Sequence, residues 1–239
     1  MRLIENTALA NALYRACYVL GFVLIFVFNF FYAGKYRIRR GKALLFTLTS
    51  YALIFGWSYV LAWAANGFTW GHHNAIRVYI WFPLVLLVTG KIFHIDFKTC
   101  CEFVTPSTCI VYGVARLGCV FAGCCHGCRM ERGIFSAAAG YRCFPVQLCE
   151  AVTALAIAAL TVLWAGKKEY RAEKNDLYPK MLVLYGGTRF LWEFAADNEK
   201  VIWRISELAL WALATCLLGA IWLLISAQKA EQKKLIDME

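Results

Sequence analysis

Long unbroken apolar runs, rather than alternating or helically periodic stripes, dominate the pattern along the chain. Residues 16–33, 43–65 and 205–226 are apolar nearly throughout, close to the length of about 20 residues with which a helix crosses a bilayer. Reading the remaining runs in the same way gives seven spanning segments, at 13–33, 43–65, 78–93, 103–123, 145–165, 180–196 and 202–226. The third is short and contains Pro83; the sixth carries Arg189 and Glu193. Backbone groups in hydrocarbon must be satisfied within each segment, so the pattern predicts an all-α, polytopic membrane helix bundle. The first run lacks a small-residue cleavage site and is followed by Lys35, Arg37, Arg39 and Arg40. It therefore reads as a span with a stop-transfer cluster, not as a signal peptide. No glycine- or serine-rich linker and no internal repeat interrupts the order, which predicts a single integral membrane domain over residues 1–239.

Composition agrees with the pattern. The chain is 61% hydrophobic and 17% charged, against about 45–50% and about 25% in soluble domains, and its mean hydropathy is +0.57. A net charge of +10 would suggest nucleic acid in a soluble protein, but here it follows the loops. Lysines and arginines crowd the first, third and fifth loops and the carboxyl-terminal tail, 15 against eight on the opposite side. Basic loops stay in the cytoplasm. The bias predicts an external amino terminus, a cytoplasmic carboxyl terminus and no nucleic-acid partner.

Two arginines lie inside predicted spans, Arg116 in the fourth and Arg189 in the sixth. A charged side chain at membrane depth costs at least about 2.5–3.5 kcal/mol, and arginine does not readily lose its proton. In "YGGTRFLWE", Tyr185, Arg189 and Glu193 follow at i, i+4 and i+8 along one helix stripe. Glu193 can pair with Arg189 internally, but Arg116 has no carboxylate behind it on its own segment after Glu102. Two arginines sharing one carboxylate would leave positive charge in the bundle, which a bidentate phosphate would balance. In a membrane the abundant phosphate is a lipid head group. In "FPVQLCEA", Gln147 and Glu150 share a face of the fifth segment. They fit either such a site or the ordinary chemistry of a helix start, where a first-turn glutamate suits the helix dipole.

The densest cluster is "ARLGCVFAGCCHGC", which places Cys119, Cys124, Cys125, His126 and Cys128 at C-x4-C-C-H-x-C spacing. Structural zinc sites use two separated arms, and only one compact arm is present. Disulfides on an exported face are a second reading. A third is steric: Gly118, Gly123, Gly127 and small cysteines allow close approach to the backbone. No metal is expected from the spacing.

In order, "ARLGCVFAGCCHG", "FPVQLCEA" and "YGGTRFLWEF" resemble three motifs of the prolipoprotein diacylglyceryl transferase family, and "FKTCCEFVTPS" resembles the stretch leading into the first. The similarity runs from about residue 97 to residue 194. It implies a bacterial inner-membrane enzyme, without a cofactor, that moves the diacylglyceryl unit of phosphatidylglycerol, or another anionic phospholipid, onto the cysteine thiol of an exported lipoprotein precursor. By position, the resemblance gives Arg116 and Arg189 the places of the two family arginines. Tyr185 and Glu193 become helix neighbours of the second, Gln147 and Glu150 the polar pair of the middle motif, and Gly127 the closing glycine of the signature.

The chain departs from the family where the signature's Asn and Glu become Cys119 and Cys124, the middle motif's His and Tyr become Phe144 and Cys149, and the opening Gly becomes Ala115. The family's His-Gly-Gly element has no counterpart in "AIRVYIW"; His72 and His73 precede that segment. His126 is the group expected to stand in for the missing histidine. The alternative is a non-catalytic lipid- or partner-binding membrane protein that kept the phosphate pocket.

Overall fold

The computed structural model describes residues 7–65, 76–136, 139–166, 176–202 and 205–236. His72 and His73 lie outside them, as does most of the basic cluster of the fifth loop. Among the described residues there are seven helices: α1 (Thr7–Tyr32), α2 (Arg40–Ala65), α3 (Ile76–Ile92), α4 (Phe97–Ala122), α5 (Val146–Gly166), α6 (Leu177–Glu193) and α7 (Glu207–Ile236). α1, α2, α4, α5 and α7 are long and apolar enough to cross a membrane, and α3 is a shorter apolar helix. The bundle expected from the apolar runs is therefore present, with element ends shifted by up to ten residues, most at the end of α7.

α4 is the central helix. It packs against α1, α5, α3 and α6, and 72% of its most apolar window is buried, against 22% for α1 and α7. Its composition allows this. The hydroxyls of Thr105 and Thr108 donate to the carbonyls of Cys101 and Val104, at 2.6 and 2.8 Å, so polar side chains enter the interior already satisfied. Tyr51 of α2 joins the hydroxyls of Ser107 and Thr108 at 3.1 and 2.9 Å. Asp96 caps the start by accepting from the Thr99 amide at 3.0 Å. Gly123, at φ 69°, ends the helix in the left-handed conformation. Polar side chains also join α1 to α2, where Asn29 donates to Thr47 at 3.1 Å, and α2 to α3, where Ser50 donates to Thr89 at 3.0 Å.

Small residues set the helix spacing. A Cβ on Gly113 of α4 would lie 2.8 Å from Leu155 Cγ on α5, and one on Gly186 of α6 would lie 2.5 Å from the Cys216 amide nitrogen on α7. Backbone contact of this kind is how helices associate when lipid is the solvent.

The all-helical expectation needs one addition. Between α4 and α5 lies an antiparallel hairpin, β1 (Arg129–Ser136) with β2 (Tyr141–Cys143); between α6 and α7 lies a smaller one, β3 (Lys200–Ile202) with β4 (Ile205–Ser206). Both sit where α4 and α6 end and α5 and α7 begin. Their backbone groups are satisfied between strands, an arrangement open to a connection that does not cross lipid. The two connections are tied together by a bridge between Gly127 and Ala196, with Cys128 N donating to Ala195 O at 2.8 Å, and Phe144 N closes the first connection on itself by donating to Cys128 O at 3.0 Å.

Gly186→Ala is expected to lower stability in detergent by about 1–3 kcal/mol through overpacking. Gly187→Ala, whose Cβ would meet nothing nearer than Cys216 Sγ at 4.0 Å, is expected to be neutral or to gain about 0.5–1 kcal/mol of helix propensity. Thermal unfolding of the two purified variants checks the contrast.

Candidate functional site

Three helices deliver charge to one point. Arg116 lies two turns before the end of α4, Glu150 in the second turn of α5, and Arg189 and Glu193 in the last turns of α6. Arg116 Nε is 2.6 Å from Glu150 Oε2, and Arg189 Nη1 is 2.8 Å from Glu150 Oε1. Arg189 Nη2 pairs with Glu193 Oε1 one turn along its own helix. The order is Arg116, Glu150, Arg189, Glu193, in alternating sign. Charge in the bundle is thus compensated, contrary to the expectation of two arginines sharing one carboxylate. Glu150 serves both arginines because α5 packs between α4 and α6, a placement that the spacing within any one segment does not show.

Each member is further held. Tyr112, one turn before Arg116, accepts from Arg116 Nε at 2.8 Å and donates to Glu150 Oε2 at 3.3 Å. Glu193 accepts from Asn198 Nδ2 at 3.1 and 2.8 Å and from Ser206 Oγ at 2.5 Å. Tyr185 packs edge-on to Tyr112, ring centroids 5.0 Å apart, and stacks on Tyr79 at 4.1 Å. An aromatic wall thus closes the inner side of the ion chain. One member stands apart in burial: the side chains of Glu150, Arg189 and Glu193 are 3%, 5% and 2% exposed, that of Arg116 16%.

The remaining sequence-derived positions play other parts. Gln147 donates to the carbonyl of Cys124 at 2.6 Å, so it fastens the turn after α4 rather than joining the arginines. Gly127 sits where a Cβ would lie 2.6 Å from the carbonyl oxygens of both Ala195 and Phe144, which fits the close-approach reading of that glycine. His126 faces Asp197, Nδ1 to Oδ2 3.8 Å, with the ring 5.6 Å from that of Tyr141. Tyr141 donates to the same carboxylate at 2.7 Å. These contacts of His126 are with the two connections that hold Gly127, Tyr141 and Asp197, not with the arginine chain.

The cysteine cluster divides. Cys119, Cys124 and Cys125 bring their sulfurs within 4.8 Å of one another. Cys143 turns inward, 3.5 Å from Ile134 O. Cys128 instead lines a cavity of about 470 Å³ with Thr188, Leu191, Trp192, Phe194 and Ala195. The Arg116 guanidinium is in hydrogen-bonding range of Cys125. Hydrogen bonds from Cys119 and Cys124, with the charge of Arg116, hold the Cys125 thiol below its ordinary value.

Tyr112, Asn198 and Ser206 are contributors that the motifs did not single out. For Tyr112 a signal was present. "YGVAR" in α4 and "YGGTR" in α6 share the spacing Tyr-Gly-x-x-Arg, and in both the tyrosine lies one turn before a buried or half-buried arginine.

Glu150→Gln is expected to destabilise the bundle by about 3–5 kcal/mol, since it removes the carboxylate between two arginines and leaves their charge unpaired. Tyr112→Phe is expected to cost less, about 1–3 kcal/mol, for the lost hydroxyl. Thermal or denaturant unfolding in one detergent compares them; equal stability of Glu150→Gln and wild type would show that the ion chain does not hold the helices.

Comparison with known proteins matches the sequence to a described group. The family model for prolipoprotein diacylglyceryl transferase matches residues 4–225, which includes every member of the ion chain. A phosphatidylglycerol–prolipoprotein diacylglyceryl transferase 2 of Clostridium perfringens is 28% identical over 106 residues, 41% of this chain. The match spans only 40% of that relative's length. With α4, α5 and α6 and their charged residues all inside the matched range, the chain belongs to the prolipoprotein diacylglyceryl transferase family.

Proposed function

We propose that this protein is a phospholipid-dependent transferase. In this reading it moves a diacylglyceryl group from phosphatidylglycerol, or another anionic phospholipid, to the cysteine thiol of a lipoprotein precursor. The work is done at the outer face of a bacterial cytoplasmic membrane, with the amino terminus external. The observation that carries the reading is the meeting of Arg116 and Arg189, from two helices, at the two oxygens of one carboxylate. Two guanidinium groups held against an anionic group of that size suit a phosphodiester.

Arg116 is the entry side, being the most exposed member. Its contacts with Glu150 and Tyr112 both run through Nε, so that an incoming phosphate can engage the terminal nitrogens without displacing the carboxylate. The acceptor sulfur attacks the glyceryl carbon that bears the phosphate ester. The C–O bond breaks with its electron pair on oxygen, and glycerol phosphate leaves with one more negative charge than the diester carried. Arg116, backed by Arg189, stabilises that added charge, an interaction stronger in the transition state than in the ground state. The thiol proton must pass to a base. Glu150 lies at the arginines, and His126, hydrogen-bonded into the outer connections, is the alternative acceptor.

A second reading, lipid or partner binding without transfer, draws on the closure of the ion chain, in which two arginines and two glutamates balance one another. It predicts lipid retention without product.

In cells depleted of their own diacylglyceryl transferase, expression of this chain is expected to restore growth and lipoprotein lipidation. Arg116→Ala and Arg189→Ala are each expected to lower the rate by about 10²–10³-fold, Arg116→Lys less. Rescue that survived Arg116→Ala would remove the arginine from the mechanism, and lack of rescue by well-expressed protein would favour the binding reading. A His126→Ala variant with an unaltered pH–rate profile would leave Glu150 as the base.

A further inference from the structure

The thiol cluster beside Arg116 is unused by the proposed reaction. We infer that Cys119, Cys124 and Cys125 form a binding site for a thiophilic cation, zinc foremost, with one coordination position left for the thiol of the acceptor. The second half of that statement rests on the transferase reading; the site itself does not.

The geometry is particular to three of the neighbouring cysteines. Cys119 lies in the last turn of α4, Gly123 stops the helix at φ 69°, and Cys125 turns left-handed at φ 55°. The chain thereby folds back over the helix end, and the three sulfurs converge to within 4.8 Å. In a tetrahedral zinc site with Zn–S bonds of about 2.3 Å, neighbouring sulfurs stand about 3.8 Å apart, so closure requires motion of about 1 Å or less. The turn is held from outside. Ser136 Oγ donates to Gly123 O at 2.5 Å and Gln147 Nε2 to Cys124 O at 2.6 Å. A non-glycine residue at positive φ is costly unless its surroundings fix it, and these two bonds, from β1 and α5, do so. Cys128 and Cys143 take no part, because the chain after His126 continues into pairing with residues 144 and 195.

Charge and donor type agree. Three thiolates around a divalent zinc carry one net negative charge, and the Arg116 guanidinium lies beside Cys125 to balance it. Sulfur donors favour zinc or copper(I) over the hard cations. Among the described residues no further His, Cys, Asp or Glu joins the three, and Cys125 is exposed. Three protein ligands with a reachable fourth position are the arrangement of catalytic zinc, not of a closed structural site. A thiol taken up there loses its proton to water on coordination. Its sulfur lone pair is then available to form the S–C bond as the C–O bond to the phosphate breaks. This supplies thiol activation within reach of Arg116.

The test uses the full chain purified in detergent without chelators. Metal analysis is expected to find about one zinc per chain, falling about tenfold or more in Cys119→Ser, Cys124→Ser and Cys125→Ser but not in Cys128→Ser or Cys143→Ser. If the serine variants fold poorly, cobalt loading of the wild-type chain gives the same answer. Sulfur-to-cobalt charge-transfer absorption is expected, and its ligand-field bands should shift on adding a short cysteine peptide but not its serine analogue. No zinc and no charge-transfer band would overturn the site; bands indifferent to the cysteine peptide would overturn the open position. Full metal loading with no diacylglyceryl transfer would leave the site standing and remove the transferase reading. Transfer undiminished in metal-stripped protein would overturn the catalytic role of the metal.

Discussion

The structure depends on four charges of alternating sign that have left water together. Glu193, Arg189, Glu150 and Arg116 are joined in that order: the first link lies within α6, the second joins α6 to α5 and the third joins α5 to α4. Opposite charges in a low-dielectric interior attract strongly, yet the desolvation they have undergone offsets most of that gain. The chain is therefore better understood as a constraint than as a store of stability. Any relative slide of α4, α5 or α6 by one helical turn would separate an arginine from its carboxylate and leave both unpaired, so the ion chain fixes the register of the three helices along their axes.

A register of this kind is usable only if the helices can approach closely enough to share one carboxylate. The Tyr-Gly-x-x-Arg spacing in α4 and α6 meets both needs at once. Gly113 and Gly186, next to the two tyrosines, admit the neighbouring backbones of α5 and α7. Tyr112 and Tyr185 turn their rings to each other, and Tyr112 supplies the hydroxyl that joins Arg116 to Glu150. Close packing, aromatic enclosure and charge placement thus come from one short pattern used twice.

How much of this was legible in the sequence follows from the range of each interaction. The five long apolar helices were readable because lipid imposes length and composition on each of them separately. The Arg189–Glu193 pair was readable because it lies within one turn of one helix. The role of Glu150 was not, since it arises from the packing of three helices, and its position near a helix start had an equally good local explanation. Strands of two and three residues, such as β4 and β2, carry too little alternation to be seen as strands. For the cysteines, C-x4-C-C-H-x-C gave the number of thiols but not their grouping. The left-handed turn at Cys125 decides that, by folding Cys124 and Cys125 back to Cys119 while Cys128 departs into strand pairing.

The greater exposure of Arg116 gives the ion chain a direction. Glu193 is tied down by Asn198 and Ser206 at the buried end, whereas Arg116 is partly open and its charge acts on the Cys125 thiol. A new anion arriving at Arg116 would meet a guanidinium already oriented by Tyr112 and Glu150, so little reorganisation is needed as it binds, which is the condition under which fixed charges are most effective. A positive charge alone at that depth would be costly, and a fully paired one would have nothing to offer a ligand. Three members lie inside and one at the edge, so the inner three hold the charge of the fourth in position, which under the proposed transferase reading leaves the fourth to meet the lipid phosphate.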